Sequence, residues 1–148
     1  MSELAEFFRK KSEEDEKQKV DWENEKQEWL ETIETFNKQI IDWLKEPIKE
    51  KLVTSHTEEL NISEYLMGNY QAPSLVITSG KEIVSFKPIG KLVLGFNGRI
   101  DMASFTETKT LVYIKDKQSW FLFEQSKKEN LKLFDEKLFT ELLKKMLS

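Results

Sequence analysis

Arginine stands at only two positions, Arg9 and Arg99, and the second is followed two residues later by Asp101 within the mostly apolar stretch 92–105. A guanidinium offers a planar fork of donors that lysine cannot reproduce. Residues at i and i+2 of a strand share a face. Arg99 and Asp101 are therefore the candidate polar groups of a ligand pocket, able to hold an anion or to place a carboxylate for acid–base work. The competing readings are an internal ion pair, or an Arg99 that reaches solvent at the hairpin tip.

His56 is the single histidine. An imidazole can act as a general base, but this one sits in a polar connector with no partner fixed by sequence, and reads as an exposed loop residue. Glu58, Glu59 and Glu64 have the composition of a carboxylate site for a metal or a glycoside. On a strand, however, Glu58 and Glu64 stand about 20 Å apart, too far for paired glycosidase carboxylates, and they read as solvated. The chain has no cysteine, which excludes disulfides, thiol nucleophiles and cysteine zinc ligands. Phosphate loops, dinucleotide fingerprints and serine elbows are missing as well. The sequence thus offers no catalytic set, no metal and no cofactor to expect.

The most distinctive pattern is aromatic. Trp22, Trp29, Phe36 and Trp43 recur every seven residues, with Ile33 and Ile40 filling the same stripe. This spacing predicts a helix over 20–46, stopped near Pro47. Such a helix is roughly 40 Å long. The hundred residues that follow form a body with a radius of gyration near roughly 13 Å, so part of the helix should overhang, bend or meet another chain. The Trp43 end should join the core. Trp22, Trp29, Ile33 and Phe36, flanked by charge, are the candidate partner-binding residues, since aromatics on a charged helix suit helix-in-groove contact or self-association. Asp21, Glu23, Glu25 and Glu28 would be repelled by anionic lipid, which argues against a membrane-surface role. Upstream, Leu4, Phe7 and Phe8 stand at helical spacing with Ser2 as N-cap, and no large apolar residue follows until Val20.

Beyond the helix the pattern turns to strands: 59–66, 74–78, 82–87, 91–96, 99–105, 110–115 and 119–124. Asn97-Gly98 is the strongest turn signal, predicting a type I′ hairpin with positive φ at both residues. Asp135 should cap a C-terminal helix whose stripe is Phe134, Leu138, Phe139, Leu142, Leu143, Met146 and Leu147. The expected fold is α+β: a long N-terminal helix, an antiparallel meander of five to seven strands and an amphipathic C-terminal helix. Residues 1–46 form the helical arm and 47–148 the sheet with its closing helix, together one structural domain.

The net charge of −4 makes nucleic acid an unlikely partner. The start of the chain has no secretory pattern and no apolar run reaches about 20 residues, so neither export nor membrane insertion is expected and the cytoplasm is the expected compartment. The expected function is a non-catalytic protein–protein interaction module, an adaptor, regulator or inhibitor, that uses the aromatic helix on a protein partner or on itself. The alternative is a small-ligand or enzymatic pocket between sheet and helices.

Overall fold

The computed structural model describes residues 2–93, 95–124 and 131–147, with side chains throughout these except at 17–21. It opens with α1, Glu3–Trp43, in which the Ser2 hydroxyl caps by accepting the Ala5 N–H at 3.2 Å. Its 41 residues extend about 62 Å at the usual rise. The run without large apolar residues does not interrupt it, because glutamate, lysine and arginine are themselves good helix formers. The helix ends at Leu44, and a further turn, α2 (Lys45–Lys49), continues past Pro47. Proline is tolerated there because a first helical turn leaves its N–H groups unpaired.

Seven strands follow: β1 (Thr54–Glu64), β2 (Gly68–Ser79), β3 (Glu82–Gly90), β4 (Arg99–Ala103), β5 (Thr108–Ile114), β6 (Ser119–Phe123) and β7 (Leu131–Leu133). They form one sheet in chain order with every neighbouring pair antiparallel. The chain closes with α3, Glu136–Met146, capped by Asp135, whose Oδ1 accepts the Leu138 N–H at 2.9 Å. The architecture is the expected α+β meander between two terminal helices.

Both long helices lie on one face of the sheet. Cross-strand partners on that face include Leu75, Phe86 and Met102, and beside them Ile100, Leu111 and Leu122. Phe36 meets the rings of Phe86 at 5.8 Å and Trp120 at 4.9 Å, while Trp43 meets Phe134 at 5.7 Å and Phe139 at 5.3 Å. On β2 the residues that join the core cluster change phase, from Tyr70 and Ala72 to Leu75 and Ile77, while Ser74 and Val76 are buried as well. The change falls where β2 leaves β3 and continues paired to β1 alone, and a two-stranded ribbon is free to twist more strongly than a wide sheet.

The segment between β3 and β4 departs from the sequence reading. Among the described residues of 91–96 there is no strand, only an isolated bridge between Val93 and Phe96; Leu94 lies outside the described residues. Asn97-Gly98 is not a type I′ turn, since neither residue has positive φ. Instead the Asn97 N–H donates to the Tyr113 carbonyl at 2.8 Å and the Tyr113 N–H donates to Gly98 at 2.9 Å, lengthening the β4–β5 pairing. Before it, the Phe96 N–H donates to the Val93 carbonyl at 3.1 Å, and Gly95 takes positive φ, 84. Gly98 serves close approach. A β-carbon there would lie 2.3 Å from the Trp29 ring, so glycine lets the backbone pass over the indole. The seventh strand is supplied by β7, which the sequence pattern did not mark.

Candidate functional site

Arg99 and Asp101 bind each other. The guanidinium Nε donates to Oδ1 at 2.9 Å and Nη2 to Oδ2 at 3.1 Å. They alternate along β4 with Ile100 and Met102, which are fully buried beneath the helices, so the charged pair points to the opposite, helix-free face. The ligand-pocket expectation for Arg99 and Asp101 is therefore not met: neither lines the space between sheet and helices. Their fork-on-carboxylate geometry commits the Asp101 carboxylate and the Nε–Nη2 edge of the guanidinium to each other.

His56 lies within β1, exposed, with Nε2 3.1 Å from Glu58 Oε1. Glu64 is occupied elsewhere. Its Oε2 accepts the Tyr70 hydroxyl at 2.5 Å and its Oε1 accepts the Leu92 N–H at 2.8 Å. Among the described residues no three His, Asp or Glu converge as metal ligands. Burial raises the Tyr70 pKa well above its ordinary value, and the hydrogen bond and charge of Glu64 push it the same way. This contact is a latch: it ties the β1–β2 ribbon to the segment after β3. Gly90 belongs to it, because a β-carbon there would meet Glu64 Oε1 at 2.6 Å.

The candidate partner-binding residues divide. Trp29 and Ile33 are 0% exposed and Phe36 is 4% exposed, all within the core of this one chain. They are corrected to core residues: the sheet and the Gly98 backbone cover the face that the charged flanks had marked as free. Trp22 is half-buried against the same core. The unpartnered part of α1 lies farther out. Every residue from Ser2 to Glu16 is exposed, including Leu4, Phe7 and Phe8 at 57–64%, with the two phenylalanine rings 5.3 Å apart edge to face. At roughly 100° per residue these three lie on the same stripe as Trp22, Trp29 and Phe36, but no sheet lies beneath them. The i, i+3, i+4 pattern was visible in sequence; its lack of cover was not.

A second apolar surface opens beside α1. A trough of about 640 Å³ runs between the helix and the ends of β5, β6 and β7. Its apolar lining includes Phe36, Trp43, Trp120 and Phe134, and its polar edge includes Glu28, Glu31 and Lys115. The Lys115 ammonium donates to Glu28 at 3.1 Å, and that hydrogen bond raises its pKa.

Fold and surfaces together define a class: an antiparallel α+β meander, helix-covered on one face, with an uncovered apolar stretch at the start of α1 and a partly apolar trough beside its second half. No protein-family model, no curated protein and no solved structure matches the chain. No helix among the described residues is long and apolar enough to cross a membrane.

Proposed function

We propose that the protein is a non-catalytic interaction module that engages a protein partner through the first four turns of α1. One observation carries this reading: a capped helical arm, fully exposed from Ser2 to Glu16, presents Leu4, Phe7 and Phe8 with no intramolecular cover. An isolated helix this short is marginal in water, but here the packed half of α1 supplies the nucleus on which the arm extends. The presented triad has the i, i+3, i+4 spacing with which an amphipathic helix enters an apolar groove. Large apolar anchors of this kind contribute most to binding when buried at the centre of a contact. The paired Arg99 and Asp101, the solvated His56 and the satisfied Glu64 all speak for binding without chemistry.

The test places a photo-crosslinking benzoylphenylalanine at position 8 of the full chain and irradiates it in extract of its own cells. The expected result is a discrete protein adduct that disappears when Leu4→Asp and Phe7→Asp are added. Absence of any adduct, or an adduct indifferent to those substitutions, overturns the reading.

A further inference from the structure

We infer that the chain forms a two-fold dimer by pairing the outer edge of β1 with the same edge of a second copy, so that two sheets become one. The surface is separate from the arm, and the inference does not depend on how the arm is read.

An open sheet has two edges, and here they differ. β7 is three residues long with Lys132 at its centre, a short and charged edge of the kind that resists strand addition. β1 is 11 residues long, contains neither proline nor lysine, and pairs with β2 from Thr54 to Glu64 with no shift of register. No strand among the described residues pairs with its outer side. Such an edge presents a row of backbone donors and acceptors to another chain.

The helix layer leaves room for that chain. Ser55 and Thr57 stand opposite Ile77 and Leu75, core residues on the helix-covered face, and opposed residues share a face. Yet every residue from Thr54 to Glu59 is exposed, so the helices do not cover this part of β1. A two-fold axis perpendicular to the sheet keeps both helix layers on one side, each over its own strands.

Side-chain chemistry selects a second copy and its register. Because opposed residues of antiparallel strands share a face, an axis relating identical strands must pass through a residue. An axis through Thr57 opposes His56 to the partner's Glu58, and Ser55 to the partner's Glu59. His56 Nε2 already lies 3.1 Å from Glu58 Oε1 of its own strand. The dimer therefore gathers two imidazoles and two carboxylates in an alternating square. Other axes do worse: through His56 two imidazoles are opposed, through Glu58 or Glu59 two carboxylates, and through Asn61 Glu58 meets Glu64. An axis through Leu60 opposes His56 to Glu64, whose oxygens are already taken by Tyr70 and Leu92. Repulsion in the chosen register is small. The two Glu59 residues stand about 14 Å apart along the strands, beyond the screening length of about 8 Å at physiological salt. Each copy gives and receives the same edge, the closed isologous arrangement.

The chain has no cysteine, so single introduced thiols report the register. Thr57→Cys places two thiols face to face on the axis, whereas Ser55→Cys leaves them about 14 Å apart. Oxidation with glutathione disulfide should give covalent dimer from Thr57→Cys at least about tenfold faster than from Ser55→Cys. Light scattering of the unmodified chain should give the dimer mass. His56 and Glu58 are both exposed, so their charges can be exchanged without disturbing the core. Chains with His56→Glu, and chains with His56→Lys and Glu58→Lys, should each self-associate at least about tenfold more weakly, and mixing the two should restore the dimer. Phe7→Asp with Phe8→Asp should leave the mass unchanged, because the arm takes no part. A monomer at every concentration, equal cross-linking at 55 and 57, charge variants that do not pair when mixed, or a dimer dispersed by the arm substitutions would overturn the inference.

Discussion

Replacing Gly98 by alanine puts one methyl group against one indole ring, and the structure gives its size. The new carbon would lie 2.3 Å from Trp29 Cζ3, 2.8 Å from Cη2 and 3.0 Å from Cε3. The ring is completely buried and is packed against Trp120 at 6.1 Å, so it has no solvent side into which to retreat. Overpacking a core by a methylene typically costs about 1–3 kcal/mol, and this geometry belongs at the upper end, about 3 kcal/mol. For a chain of this length that lowers the melting temperature by about 6–12 °C. The decisive assay is a double-mutant cycle in urea. In a Trp29→Leu background the obstructing ring is gone, and Gly98→Ala should cost well under 1 kcal/mol, a coupling of about 2 kcal/mol or more. A glycine serving only as a turn residue predicts otherwise: a cost of about 1 kcal/mol, equal in both backgrounds. Equal costs would refute the claim that Gly98 exists to let the backbone cross Trp29.

Gly95 supplies the contrast, since its φ of 84 makes Gly95→Ala cost about 1 kcal/mol with or without Trp29, by the same urea titration. Tyr70 ionises in the unfolded chain near its ordinary 10.0 and higher in the fold. Its contribution is thus complete below about pH 10 and is lost as the pH rises beyond, by up to about 1.4 kcal/mol per pH unit. Tyr70→Phe should accordingly flatten the decline of stability with pH in unfolding measurements between about pH 10 and 11.5. Deleting residues 2–16, all exposed, should change the unfolding free energy by less than about 1 kcal/mol and leave the denaturant slope nearly unchanged, because that slope follows buried surface. Asp135→Ala removes the cap of α3 and should cost about 1 kcal/mol by thermal denaturation.

Local rules found most of the fold. Ser2 and Asp135 cap the helices they were expected to cap, and six of the strand segments fall within or beside observed strands, because period-2 alternation and short polar breaks are properties of contiguous residues. The failures involve contacts between residues far apart in the chain. Asn97-Gly98 carries the local signature of a hairpin, yet Gly98 answers to Trp29, 69 residues away, and no window of sequence contains both. Arg99 and Asp101 look like a site because each is unusual on an apolar strand; that they satisfy one another across i, i+2 depends on rotamers the sequence does not state. Strand β7 is three residues long and wholly exposed, so it carries no burial pattern to detect.

The reading of α1 went astray for a different reason. Its premise, that a helix longer than its body must present an uncovered face, holds in the structure. The packed stretch from Trp22 to Leu44 is about 33 Å of helix. A body of roughly a hundred residues, with a radius of gyration near roughly 13 Å, is about 34 Å across. The match means that 22–44 is consumed almost completely by its own sheet. The overhang begins only beyond it, because α1 starts at Glu3 and not at Val20. Charged flanks then suggested exposure at Trp29, but solvated residues on one side of a helix say nothing about its other side. What decides exposure is whether the sheet extends beneath the stripe. By that criterion Trp29, Ile33 and Phe36 belong to the core, and the three side chains that continue their stripe beyond the sheet, Leu4, Phe7 and Phe8, are the ones left uncovered.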